Sequence, residues 1–434
     1  MRAVLLPLHR WLGLITALFL FITGITGAVI SWDHELDDWL NPHLTEAPGK
    51  GPALPMLELA RQVEARYPQV RVTSLPLAVE AGESASLFVQ PRLNPATGRL
   101  FEPGFNQVFL DPATGAELGK RQWGAVWPIT SENFVSFLYK LHFSLHFPEM
   151  FGTDRWGVWL LGIIAIGWTI DCFIGFYLTL PARRRAKAVE DALADDAVPA
   201  GRSFWQRWQP AWLIRWQGGN YKLNYDLHRA FGLWTWILLF ILAFTAFSLN
   251  LFREVFMPLI STVSQVTPTP FDQRPRQARH APITPQLGFA EVLASATQEA
   301  AARQWPEPAG RMFYTQSFGI YGVEFFAPEA DHGAGGVGHK RLYFDGQDGR
   351  YLGDREPWRG TAADIFVQAQ FPLHSGRILG LPGRILISVM GLVVAMLSVT
   401  GVYIWLKKRR ARRRSAALRR ATQDGLDTTQ GLRA

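Results

Sequence analysis

Apolar residues along this chain gather into four long blocks separated by polar stretches of mixed periodicity. The blocks, at about 11–31, 156–180, 231–252 and 378–406, each reach the roughly 20 residues that a hydrocarbon core of about 30 Å requires of a helix. They predict four membrane-spanning helices. The first is too long for the apolar part of a secretory signal, and Trp32-Asp33-His34-Glu35 makes a poor small-residue cleavage site, so it reads as a membrane anchor.

The polar stretches carry shorter periods. In 32–155, Leu57, Ala60, Val63 and Ala65 recur at roughly helical spacing, followed by the strand-like runs Leu87-Phe88-Val89 and Gln107-Val108-Phe109-Leu110. In 253–377, residues 289–305 read as a helix, followed by Tyr321-Gly322-Val323-Glu324-Phe325-Phe326 and Lys340-Arg341-Leu342-Tyr343-Phe344. A helix followed by strands, twice, predicts two α+β domains.

Two internal matches point to duplication. Leu8-His9-Arg10-Trp11-Leu12-Gly13-Leu14 recurs as Leu227-His228-Arg229-Ala230-Phe231-Gly232-Leu233, each beside an apolar block. Residues 108–119 align with 342–353, both reading as strand, Asp/Gly turn, strand. The expected fold is an internally duplicated membrane protein, a four-helix α-helical transmembrane bundle with two extracytoplasmic α+β domains. Its expected order is span 1–31, outer domain 32–155, span 156–181, linker 182–227, span 228–252, outer domain 253–377, span 378–406 and basic tail 407–434.

Charge sets the orientation. Arg183, Arg184, Arg185 and Lys187 follow the second span, Arg202, Arg207, Arg215 and Lys222 precede the third, and Lys407, Lys408, Arg409, Arg410, Arg412, Arg413 and Arg414 follow the fourth. By the positive-inside rule both termini and the linker are cytoplasmic. The net charge of +8 largely reflects these collars beside spans, so nucleic-acid binding is not expected. The one cysteine, Cys172, lies inside the second span, which excludes a disulfide framework, a Cys-x-x-Cys pair and the Cys-x-x-Cys-His attachment of a c-type haem. Any haem would be held non-covalently.

With its paired Leu-His-Arg segments, twin hairpins and two halves of span, domain, span, the chain resembles the PepSY-associated transmembrane family from Leu8 to about Lys408. The resemblance implies PepSY-like outer domains in a bacterial inner membrane. Through members that are ferric-siderophore reductases, it also implies reduction of a ferric siderophore on the periplasmic side, with release of Fe(II) for iron uptake. PepSY domains also act as peptide-binding or protease-regulating modules without redox activity, which is the alternative class.

Histidines are the candidate ligands. In a chain whose halves run the same way, His9 and His228 share one depth, and His142 or His146 shares the other with His374. A rise of about 1.5 Å over roughly 20–25 residues separates the layers by about 30–37 Å. An ionisable residue at a membrane helix is costly without water or a partner, and counts as a functional hypothesis. Rim histidines also snorkel to the interface. Iron porphyrin is flat and apolar, fits between helices and takes axial imidazoles from facing ones. The expectation is two bis-histidine haem b groups, an inner one at His9 and His228 and an outer one at His374 with His142 or His146. His142 matches the Leu-His-x-Ser-Leu form expected of the family, whereas His146 lies 9 residues before Arg155, nearer the 10 between His374 and Arg384. Spaced i, i+4, this pair would also suit zinc on one helix face, but no Glu follows the first as in His-Glu-x-x-His. His34 has no counterpart after the third span, where Arg253-Glu254 stands, and reads as interfacial.

Haem propionates favour cations, and Arg10 and Arg229 beside the inner histidines, with Arg155, Arg377 and Arg384 beside the outer ones, suit that role as well as interface anchoring. Asp171, well within the second span, is a candidate to orient an imidazole through its second nitrogen, or to take a structural Thr or backbone partner. Trp123, Trp127, Trp156, Trp159, Trp234, Trp236 and Trp405 fit an interfacial belt better than an electron path. Gly333-Ala334-Gly335-Gly336-Val337-Gly338 matches G-x-G-x-x-G but lies in an outer loop between His332 and His339, without the strand and helix of a dinucleotide site. It reads as a hairpin insertion with solvated histidines. With no nicotinamide or flavin fingerprint, the electron donor is a separate inner-side reductant or a quinone; membrane lipid is the other expected partner.

Overall fold

The computed structural model describes residues 1–182, 203–330 and 334–431. Arg183, Arg184, Arg185, Lys187 and Arg202 of the expected basic collar, and His332 and Gly333 of the glycine-rich loop, lie outside the described residues. In chain order the principal helices are α1 (Arg2–Ile30), α2 (Asp33–Leu40), α3 (Met56–Arg66), α4 (Ser131–Ser144), α5 (Trp156–Thr179), α6 (Asn220–Trp234), α7 (Trp236–Asn250), α8 (Phe289–Ala302), α9 (Ala362–Ser375) and α10 (Gly380–Gly431). The chain divides into a helical unit (Met1–Ala28, Leu160–Phe247, Val389–Ala434) and a sheet unit (Val29–Trp159, Ser248–Ser388).

In the helical unit, length and apolar composition let α1, α5 and the segment Arg377–Ala417 each cross a membrane; α6 and α7 add a fourth span if the pair counts as one. The 29 residues of α1 run about 43 Å, longer than the hydrocarbon core. The third span, expected to run unbroken over 228–252, is instead interrupted at Thr235, where α6 and α7 bend by 74°. Thr235 Oγ1 donates to the Phe231 carbonyl at 2.7 Å, the back-bonding that bends helices. Trp236 Nε1 donates to the Cys172 carbonyl at 2.9 Å and fixes the start of α7 against α5. Small residues bring α1 and α10 together. A Cβ on Gly24 would stand 2.6 Å from the Gly391 carbonyl oxygen, and one on Gly391 2.4 Å from that of Gly24.

The sheet unit holds β1 (Val70–Pro76), β2 (Ala85–Pro91), β3 (Gln107–Leu110), β4 (Glu117–Arg121), β5 (Ala309–Thr315), β6 (Ile320–Phe325), β7 (Lys340–Asp345) and β8 (Tyr351–Arg355). They form one sheet in the order β4-β3-β2-β1-β5-β6-β7-β8 with antiparallel neighbours throughout. The two outer stretches, expected as separate domains, are therefore joined. Ser74, Leu75 and Pro76 of β1 pair with Phe313, Met312 and Arg311 of β5. Alone, each four-stranded meander would leave a row of backbone donors and acceptors unpaired along that edge, and the junction satisfies both rows. One core crosses it: Leu59 and Val63 of α3, Val292 and Ala296 of α8, and Val70, Leu75, Met312, Val323 and Leu342 are each at most 2% exposed.

Both hairpins use one local device. Asp111 Oδ1 accepts from the Ala113 amide at 2.9 Å and Asp345 Oδ1 from the Gln347 amide at 2.8 Å, while Gly115 and Gly349 take φ of 72° and 75°. Each meander leads to a helix whose last turn carries a histidine, His142 on α4 and His374 on α9. For α9, Thr361 Oγ1 accepts from the Asp364 amide (3.1 Å) and Asp364 Oδ2 from the Thr361 amide (2.8 Å), a reciprocal capping box. Helix α9 stops at Gly376 (φ 75°), and α4 stops where Leu145 and His146 both turn left-handed (φ 53°).

Candidate functional site

Two pairs of histidines face each other. In the helical unit the rings of His9 on α1 and His228 on α6 have centroids 6.2 Å apart and planes inclined by 57°. In the sheet unit the last turns of α4 and α9 bring His142 and His374 to 6.1 Å, again at 57°.

The first pair is held by its Nδ1 atoms. His9 Nδ1 lies 2.8 Å from Asp171 Oδ1 on α5. His228 Nδ1 lies 3.1 Å from both the Leu397 carbonyl and Thr400 Oγ1 on α10. Carboxylates and carbonyls accept only, so Nδ1 is the donor in each ring and Nε2 is the nitrogen left to face a ligand. Among the described residues neither Nε2 has a hydrogen-bond partner. One turn beyond each histidine the repeated segment places Gly13 and Gly232, where an added Cβ meets nothing within 4 Å. Beside the rings stand Gly175 and Gly401, whose Cβ positions lie 3.5 Å and 3.3 Å from Cε1 of His9 and His228.

Two metal–imidazole bonds of about 2.0–2.1 Å, plus the half-width of each ring, fill the separation found in either pair. The bare helix surface at Gly13 and Gly232 gives a flat group room to approach. The Nε atoms of Arg10, Arg155 and Arg229 are buried without a hydrogen-bond partner, while the other guanidinium nitrogens of Arg155 and Arg229 already pair with Glu254 and Asp226. The donor set therefore suits a flat, anionic group with one imidazole on each face.

His146 has other neighbours, and its Nδ1 is buried without a hydrogen-bond partner. It stacks on Phe137 (4.6 Å, 20°), and its Nε2 lies 2.8 Å from the Phe137 carbonyl. Burial pushes its pKa below the ordinary histidine value, against the pull of that carbonyl. Because α4 ends at Ser144, His142 and His146 do not share a helix face, and the geometry behind the zinc reading is lost.

The arginines divide. The Arg10 guanidinium lies 5.3 Å over the Trp11 ring, Arg229 bonds Asp226 (3.0 Å) and the Pro210 carbonyl, and Arg155 bonds Glu254 (2.9 Å) and the Asn250 carbonyl (3.3 Å). Arg377 pairs with Asp33 at 3.3 Å, and Arg384 with Glu35 at 2.7 Å and twice with the Ser31 carbonyl, so these two serve to tie α2 and its entry to the start of α10. The Arg384 hydrogen bond holds Glu35 below the ordinary carboxylate pKa. His34 lies on α2, electrostatically coupled to Glu35 and Asp38.

In the glycine-rich loop, Gly335 and Gly336 (φ 60° and 73°) form a short turn between β6 and β7, with no helix following. His339, expected in solvent, stacks on Phe326 at 3.8 Å and 14°. Sequence reading missed Asp226, fully buried and bound by Arg215 Nε (2.6 Å) and Nη2 (2.8 Å). Its i, i+3 spacing to Arg229 on the histidine helix was the available signal. Thr400, Gly175 and Gly401 left none, since only packing brings them to the rings.

Apolar helices long enough to cross a membrane, joined in sequence to an antiparallel sheet covered by helices, define a membrane protein with an α+β extramembrane part. Residues 6–408 match the family described as the PepSY-associated TM region, and the chain belongs to that family. Among curated proteins, none matches the sequence.

Proposed function

We propose that this chain is a transmembrane haem-b electron carrier that reduces ferric siderophore on the periplasmic side of a bacterial inner membrane, its termini cytoplasmic and its two halves a duplication. The observation that carries this reading is the recurrence of facing imidazoles at 6.2 and 6.1 Å with the same 57° inclination. Haem b held between the two imidazoles of a pair would supply one-electron transfer. Asp171, and Leu397 with Thr400, hold His9 and His228 with Nε2 forward. The last turns of α4 and α9 present His142 and His374, and Arg10, Arg229 and Arg155 offer their buried Nε donors to carboxylates. The substrate is an iron(III) chelate. Hard Fe(III) prefers oxygen-rich chelators and Fe(II) softer donors, so one electron loosens the metal. The electron comes from a separate reductant or quinone on the cytoplasmic side.

Purified in detergent after haem-replete expression, the protein is expected to show a b-type spectrum, oxidised and after dithionite. Absence of a Soret band would overturn the proposal in favour of a peptide-binding PepSY module. A full b-type spectrum in the His9→Ala, His374→Ala double variant would overturn the ligand assignment. Ferric siderophores added to the reduced protein should reoxidise it, and a spectrum that stays reduced with every chelate rules against iron as the acceptor.

A further inference from the structure

The partners behind the first histidine pair are unequal. His228 Nδ1 rests on a neutral carbonyl and hydroxyl, whereas His9 Nδ1 rests on a carboxylate. Among the described residues, the only hydrogen bond of Asp171 is the one to His9, and no lysine or arginine shares its charge. A carboxylate in an apolar helix is expensive unless a partner draws on it. The duplication does not require it. Asp171 precedes Gly175 by the interval that separates Leu397 from Gly401, and at that equivalent place the second half carries Leu.

We infer that Asp171 is a positioning residue that makes His9 an electron-rich ligand and so lowers the reduction potential at the first pair, strengthening it as a donor for outward transfer. The inference rests on the haem reading above. A carboxylate accepting from Nδ1–H raises the basicity of the imidazole, and a more basic axial ligand favours ferric over ferrous iron.

The test is redox titration of the full-length protein in detergent, with haem counted per chain, for wild type, Asp171→Asn and Asp171→Glu. The Asn variant should keep two haems while one of the two midpoints rises by about 59 mV, a tenfold change in the oxidised-to-reduced ratio at fixed potential. The Glu variant, which keeps the charge, should titrate as wild type. Unchanged midpoints in fully loaded Asn protein overturn the inference, as does a Glu variant that shifts as far as Asn. Loss of one haem in the Asn variant alone also counts against it, because the carboxylate would then hold the ligand and not tune it. A wild-type chain without haem refutes the functional proposal itself, before this question arises.

Discussion

Replacing Gly232 by Leu puts a branched side chain on a helix face that the fold leaves bare. A Cβ there meets nothing within 4 Å, so no neighbour has to move. Losing a glycine from a helix interior favours the helix by roughly 0.5–1 kcal/mol, so the fold itself should be unchanged or slightly more stable. A macrocycle held by His228 needs that same face one turn away. Forcing a side chain into such a packed contact costs about 1–3 kcal/mol, which is about a 5- to 150-fold loss of affinity. We expect haem content, measured as pyridine haemochrome per chain, to fall from two towards one, with far-UV dichroism and elution volume unchanged. Gly13→Leu should do the same, and the double variant should lose no more than either alone, since both act on one site. Two haems per chain in both single variants would refute the reasoning, because nothing flat could then occupy the face beside His9 and His228.

Three further outcomes follow from the geometry. His142→Ala should remove one haem while His146→Ala keeps both, because His146 stacks on Phe137; the same haem count decides it. Gly391→Leu should lower the thermal unfolding midpoint, since its Cβ lands 2.4 Å from the Gly24 carbonyl oxygen and α1 must retreat at a cost of about 1–3 kcal/mol; an unchanged midpoint would mean that α1 and α10 do not touch there. Asp364→Ala removes its half of the capping box of α9 and leaves the Thr267 amide and hydroxyl without their acceptor, and should cost about 1–3 kcal/mol. Burial pushes the Asp364 pKa up, but its bonds to Thr267 and Thr361 outweigh that and hold it below the ordinary value. Its contribution is therefore complete above the unfolded value of about 3.9 and lost as pH falls through the lower folded one. Acid unfolding followed by tryptophan fluorescence should show the difference between wild type and variant closing below about pH 4, and a difference that persists would contradict the assignment.

Much of this was legible in order along the chain. The apolar runs of α1, α5 and 377–406 stand out because a membrane-spanning helix must be apolar over its whole length. Both hairpins stand out because Asp111 with Gly115 and Asp345 with Gly349 satisfy their own backbone within a few residues. The strands that escaped notice, β1 and β5, are the two that join the halves. Their short mixed segments become strands by pairing with β2 and β6 and with each other, and the β1–β5 pairing joins residues more than two hundred positions apart.

By itself the sequence determined the blocks of apolar residue, the local turns and the identity of the histidines, all of which depend on neighbours within a turn or a hairpin. Only the tertiary structure decided the rest. The left-handed turn at Leu145 sends His146 to Phe137 and leaves His142 opposite His374. The hydroxyl of Thr235 coincides with a broken helix that the hydropathy reads as continuous. The bond from His9 to Asp171 crosses between helices. In each case the outcome turns on a hydrogen bond or ring contact that exists only once separate elements have packed.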